Sequence, residues 1–164
     1  MTAQAQSKGK SISQYQIRDL KDLITTPKAT LCITDSIAKA MQLYRIYNNP
    51  YLVMVDEEDK VIGILREDTL LEYCYDLLQR TTGATSSRYE LAYHDLSSFV
   101  QKTSPILKLE DGLDKVINYV LNTKFNLFPI VDDNEKLMGT IGCRDLLEGH
   151  NEGIIEIVKI NKTK

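Results

Sequence analysis

Apolar positions along this chain follow two rhythms, and the same succession of rhythms occurs twice. A short extended piece at residues 30–33 leads into helical spacing, with Ile37, Ala40, Met41 and Tyr44 on one face and Thr34 or Asp35 as the opening N-cap. Two extended runs follow at 51–55 and 61–65. The acidic stretch Asp56-Glu57-Glu58-Asp59 separates them, which predicts a hairpin. A second amphipathic helix closes the unit, with Leu70, Leu71, Cys74, Leu77 and Leu78 on one stripe. The second copy begins at 106–109, with Glu110 or Asp111 opening a helix whose apolar face is Leu113, Val116, Ile117, Val120 and Leu121. Extended runs at 127–131 and 137–141 flank Asp132-Asp133-Asn134-Glu135, and a shorter helix carries Leu146 and Leu147. The order in each half is strand, helix, strand, strand, helix, an α/β (α+β) class.

The two halves align as sequences. Residues 19–72 match 95–148 without a gap at an offset of 76, pairing Asp19 with Asp95, Leu20 with Leu96, Leu31 with Leu107, Asp35 with Asp111, Lys39 with Lys115, Gly63 with Gly139, and Leu70-Leu71-Glu72 with Leu146-Leu147-Glu148. This divides the chain into a flexible N-terminal tail (1–16), a first repeat (17–80), a linker (81–95), a second repeat (96–150) and a C-terminal strand or tail (151–164). Residues 88–100 read as helical, with Leu91, Leu96 and Phe99 apolar. The alternation of Ile155, Ile157 and Ile160 with Glu156 and Lys159 reads as an extra strand or docking tail.

Composition narrows the function classes. With 164 residues, 43% hydrophobic and 26% charged, the chain suits one globular unit built from two small halves, neither very stable alone. A net charge of -3 without a basic cluster supplies no footprint for DNA or RNA. No secretory h-region and no bilayer-length apolar run is present, and the odd, scattered cysteines Cys32, Cys74 and Cys143 read as reduced packing residues of a cytoplasmic protein. The two histidines, His94 and His150, lack metal-ligand spacing and a nucleophile's context, so neither a metal nor enzyme activity is expected. The acidic runs lack the spacing of a calcium loop and read as hairpin turns.

The segment Asn126-Leu127-Phe128-Pro129-Ile130-Val131-Asp132, with Gly139-Thr140-Ile141-Gly142-Cys143-Arg144-Asp145-Leu146 after it, resembles the signature of CBS domains. That signature is a strand ending in Pro-Val-Val-Asp, then a Gly-led strand running into a Thr/Ser-x-x-Asp helix start. The resemblance covers about residues 17–150 and includes the duplication, since CBS repeats occur in pairs packed sheet to sheet about a pseudo-two-fold axis. It implies a homodimeric regulatory module whose inter-repeat cleft holds AMP, ADP, ATP, S-adenosylmethionine or cyclic di-AMP and modulates a partner protein. A scaffold with empty, degenerate sites is the alternative.

The resemblance also implies site residues. Asp145 takes the ribose position, Arg144 sits in the first helical turn, Ile106, Leu127, Phe128 and Pro129 line the base, and Ser104 joins the ligand-binding set; Gly142 stands where the family has Thr or Ser. In the first repeat the equivalent positions are Arg66, Glu67, Asp68 and Thr69. Glu67 and Asp68 repel a phosphate, so this half-site is weak unless Arg66 reaches across to a ligand held by the other half. Arg144 and Asp145 also fit a plain solvated helix start, and Tyr44, Tyr47 and Tyr51 fit packing or dimer contacts better than a stacking platform.

Overall fold

The computed structural model describes residues 10–80 and 92–157. Repeat 1 contains β1 (Thr30–Cys32), α1 (Ile37–Tyr47), β2 (Tyr51–Val55), β3 (Val61–Arg66) and α2 (Glu67–Arg80). Repeat 2 contains β4 (Leu107–Lys108), α3 (Leu113–Asn122), β5 (Leu127–Val131), β6 (Leu137–Gly142) and α4 (Cys143–Asn151). Each forms a three-stranded sheet with one parallel and one antiparallel pair, in the orders β1-β2-β3 and β4-β5-β6. The middle strands are apolar almost throughout because both of their faces are covered. One face packs on the repeat's helices. The other meets the second sheet, where Val53, Val55, Val61 and Ile64 pack with Val131, and the Val61 amide donates to the Glu135 carbonyl across the seam at 2.9 Å.

The acidic turns are built by their first residue. Asp56 Oδ1 accepts from the Glu58 and Lys60 amides, and Asp132 Oδ1 accepts from those of Asn134 and Lys136. The N-caps fall one or two positions later than the sequence suggests, at Ser36 and Gly112. Asp35 and Asp111 turn the chain instead: each takes the amide three residues before it, from Cys32 and Lys108, and pairs with the lysine one helical turn on, Lys39 and Lys115.

The lead-in segments are exchanged between the repeats. Ile17, Leu20 and Leu23, in the 3-10 segment Ile17–Leu23 that precedes repeat 1, are buried with Leu107, Val116, Phe128 and Ile141 of repeat 2. Leu96 and Phe99, preceding repeat 2, are buried with Leu31, Leu52, Met54 and Leu65 of repeat 1. Backbone bonds confirm the exchange. The Leu113 amide donates to Tyr15 and the Ile37 amide to His94; the Thr25 and Thr140 backbones bond reciprocally, and the Ser104 amide donates to Ile64. Gly63 and Gly139 permit this approach, because a Cβ at Gly63 would lie 2.6 Å from the Ser104 carbonyl oxygen and one at Gly139 would collide with Ile24.

The exchange corrects the gap-free alignment. Tyr15 corresponds to His94, Ile17 to Leu96, Leu20 to Phe99 and Thr25 to Ser104, a separation of 79 positions, against 76 from β1 onward. Repeat 1 therefore carries three extra residues between Thr25 and Leu31.

The described parts of both ends pack on the repeat 2 core. Ile12 and Tyr15, in the stretch read as a flexible tail, pack against the repeat 2 core. Of the stretch read as a strand or docking tail, Lys159 and Ile160 lie outside the described residues, and residues 153–157 form no strand but fold back after α4, so that Ile155 is buried in the same core and the Ile157 amide donates to His150 Nδ1 at 3.1 Å. Of residues 88–100, those at 88–91 lie outside the described residues, and Ser97–Lys102 is a 3-10 segment.

Candidate ligand-binding site

The three extra residues cannot stay in the sheet, because both ends of their segment are fixed, Thr25 to β6 and Leu31 to β2. They line the mouth of a cavity of about 900 Å³ between the repeats. Its walls are the loop at 25–29, the turn from Tyr47 through Pro50, β2 from Tyr51 to Val53 with Ile64, and on the repeat 2 side Asn126, Leu127, Thr140, Gly142 and the α4 residues Cys143, Arg144, Asp145, Leu147, Glu148 and Asn151. Asn48 opens the turn by adopting the left-handed conformation at the end of α1 (φ 45°, ψ 45°). The volume is that of a small-molecule site, and the lining mixes an apolar floor with a few convergent polar groups.

Asp145 is half-buried in this wall. Its Oδ2 accepts from the Gly142 amide at 2.7 Å, and Oδ1 takes no hydrogen bond from another described residue. Burial pushes the carboxyl up from its ordinary range, against the opposing pull of the Gly142 amide. The Cys143 amide donates to the Asn126 carbonyl at 2.8 Å. A Cβ at Gly142 would collide with the same carbonyl oxygen, whereas the matching bond of repeat 1, from the Glu67 amide to the Pro50 carbonyl at 3.0 Å, is made with Arg66 in that position. Arg144 and Lys28 are exposed on the cavity wall and make no hydrogen bond or salt bridge with another described residue, although the Arg144 charge acts on the neighbouring Asp145 carboxyl.

Of the residues singled out from the sequence, Leu127, Gly142, Arg144 and Asp145 come together here. The others do not. Phe128 is fully buried in the repeat 2 core, and Pro129 is buried opposite Thr140 in the β5–β6 ladder. Ile106 lines a smaller cavity of about 230 Å³ with Lys108, Asp111 and Lys115. Ser104 is committed to the chain, accepting from the Ile64 amide at 2.9 Å and donating to the Pro105 carbonyl at 3.0 Å. Arg66 does not reach the cavity; it donates to the Lys124 carbonyl at 2.5 Å, pairs with Asp68 and lies 5.9 Å from the Phe125 ring centroid. Since Lys124 and Phe125 are the counterparts of Asn48 and Asn49, Arg66 fills with its own side chain the place that is open in the other cleft. Thr69, the counterpart of Asp145, is half-buried beside it.

The loop at 25–29, Tyr47, Asn48, Tyr51 and Asn126 were not flagged as lining residues. The signal for the loop was the register: allowing a three-residue gap aligns Ile17 with Leu96 and Leu20 with Phe99.

Among the described residues no group of three or more His, Cys, Asp or Glu side chains is placed to hold a metal, and no helix is long and apolar enough to cross a membrane.

Comparison with known proteins agrees with this architecture. An uncharacterized 17.7 kDa protein in the bps2 3' region of Acidianus ambivalens is 26% identical over 131 residues, 80% of this chain and 68% of its own. The crystal structure of CBSX2 in complex with AMP superposes with a TM-score of 0.61 at 18% identity, covering 84% of this chain and 97% of that one. That of CbpB in complex with c-di-AMP gives 0.59 at 16% identity, with 80% and 84% covered. The family model described as CBS domain matches residues 20–76 and 96–151, and the chain belongs to the CBS domain family.

Proposed function

We propose that the chain is a regulatory CBS pair, cytoplasmic and without catalytic activity of its own, that binds one adenine nucleotide or related ligand (AMP, ADP, ATP, S-adenosylmethionine or cyclic di-AMP) and modulates a partner protein. The observation that carries the reading is the pairing of a cavity of about 900 Å³ with the half-buried Asp145, whose Oδ1 is available to ribose hydroxyls. The solved relatives in complex with AMP and with c-di-AMP support it. A ligand there touches the loop at 25–29, which is tied to both sheets, so its differential affinity for two inter-repeat geometries would shift their populations.

Thermal unfolding of the whole chain against that panel tests the reading. At about 100 times its dissociation constant, a ligand adds roughly 2.7 kcal/mol. Asp145→Asn keeps a cap for Gly142 and is expected to abolish the shift without lowering the ligand-free unfolding temperature. A flat panel from a folded protein would favour the ligand-free scaffold.

The self-association is also proposed. Leu71, Tyr75 and Leu78 form an exposed apolar stripe on α2, at 71%, 59% and 41% exposure, more than an isolated chain comfortably leaves in water. Sedimentation should find a homodimer that Leu71→Glu dissociates.

A further inference from the structure

Any phosphate on a ligand whose ribose sits at Asp145 lies near the start of α4, where backbone amides would ordinarily hold it. Here the first two are spent: Gly142 donates to Asp145 and Cys143 to Asn126. Gly142 brings no hydroxyl, and the Asn126 carbonyl leaves no room for one. With those two amides used and the carboxylates Asp145 and Glu148 in the same lining, an anion in this cavity gains most from side-chain cations, of which the lining has two, Arg144 on α4 and Lys28 in the longer loop. Both are exposed and form no salt bridge among the described residues, whereas Lys39 and Lys115 are committed to Asp35 and Asp111. Lys28 has no counterpart in repeat 2, where only Pro105 and Ile106 join Ser104 to Leu107.

Resting on the nucleotide reading above, we propose that Lys28, brought to the cavity by the three-residue insertion, is the specificity-determining residue for the ligand's phosphates and acts with Arg144. The insertion thereby supplies the charge that the glycine-containing helix start cannot.

Calorimetric titration of the whole chain with adenosine, AMP, ADP, ATP, S-adenosylmethionine and cyclic di-AMP tests this, using the wild type, Lys28→Ala and Lys28→Arg; Lys28 is exposed and bonds no other described residue, so both variants are expected to fold. Wild-type affinity is expected to rise from adenosine to ATP. Lys28→Ala should weaken ATP about tenfold, the scale of one charge-assisted contact, and leave adenosine unchanged, while Lys28→Arg retains most of the ATP affinity. Equal weakening of adenosine and ATP, or of neither, overturns the proposal. A wild type that prefers S-adenosylmethionine, a net cation, overturns it while leaving the nucleotide reading standing, and a wild type that binds none of these overturns both.

Discussion

Gly142 and Arg66 occupy the same place in the two repeats, and the two clefts part company there. Each helix start bonds the carbonyl of the preceding turn, Cys143 to Asn126 and Glu67 to Pro50, but at Gly142 no side chain enters the cleft, and the longer loop at 25–29 lines the space in front. In the other the chain takes the short route from Ser104 to Leu107, and Arg66 fills the space with its guanidinium. The two halves of the duplicated fold thus differ at the cleft by three residues of loop length and by glycine against arginine, while each keeps a buried core. The side without that self-contact is the side that holds the cavity of about 900 Å³.

The sharpest way to break the comparison is through the exchanged segments. Leu20→Ala should cost about 3 kcal/mol and Phe99→Ala slightly more, as for other buried large-to-small changes. Hydrogen exchange should show the first variant loosening β5 and β6 of repeat 2 and the second loosening β2 and β3 of repeat 1, the reverse of what chain order suggests. Next in size, Gly142→Ser forces a Cβ against the Asn126 carbonyl and should lower stability by about 2 kcal/mol in denaturant unfolding. At the counterpart position Arg66→Ala removes a carbonyl contact and a ring contact and should cost only about 1 kcal/mol.

The smallest effect concerns pH. Because burial raises the Asp145 carboxyl above its ordinary 3.8, the unfolded chain ionises there first. Stability is lost as pH rises through that window, and the loss is complete above the folded value. Asp145→Asn should therefore match the wild type in strong acid and equal or slightly exceed it at neutral pH in ligand-free unfolding. Ligand affinity should run the other way, falling as the pH drops into the same window and the carboxylate that accepts the ribose hydroxyls is lost.

The helices and strands were legible because they are local. Val116 and Leu113 fall on one helical face, and the strand runs at 51–55 and 127–131 are bounded by acidic turns. The pairing of lead-in segments with the opposite repeat was not, since Ile17 meets Leu107 across about ninety residues and no periodicity encodes a partner. The gap-free alignment also hid the insertion, and with it Lys28. For the candidate site, Asp145 and Arg144 stood out through the signature, whereas Phe128 and Pro129 belong to a motif whose residues serve the core as much as the cleft. Asp35 and Asp111 were misplaced as N-caps because an Asp before a helix can also satisfy the amide behind it.

The exchange of lead-in segments separates the unit that was copied from the unit that can be cut out. A fragment spanning 17–80 would carry Ile17, Leu20 and Leu23 with nothing to cover them and would lack Leu96 and Phe99. One spanning 26–104 would take along the core between its sheet and helices, leaving uncovered only the face that meets the other sheet. For anyone transplanting one of these repeats into another protein, the seams to cut lie at Thr25 and Ser104, the two points where the chain crosses from one sheet to the other.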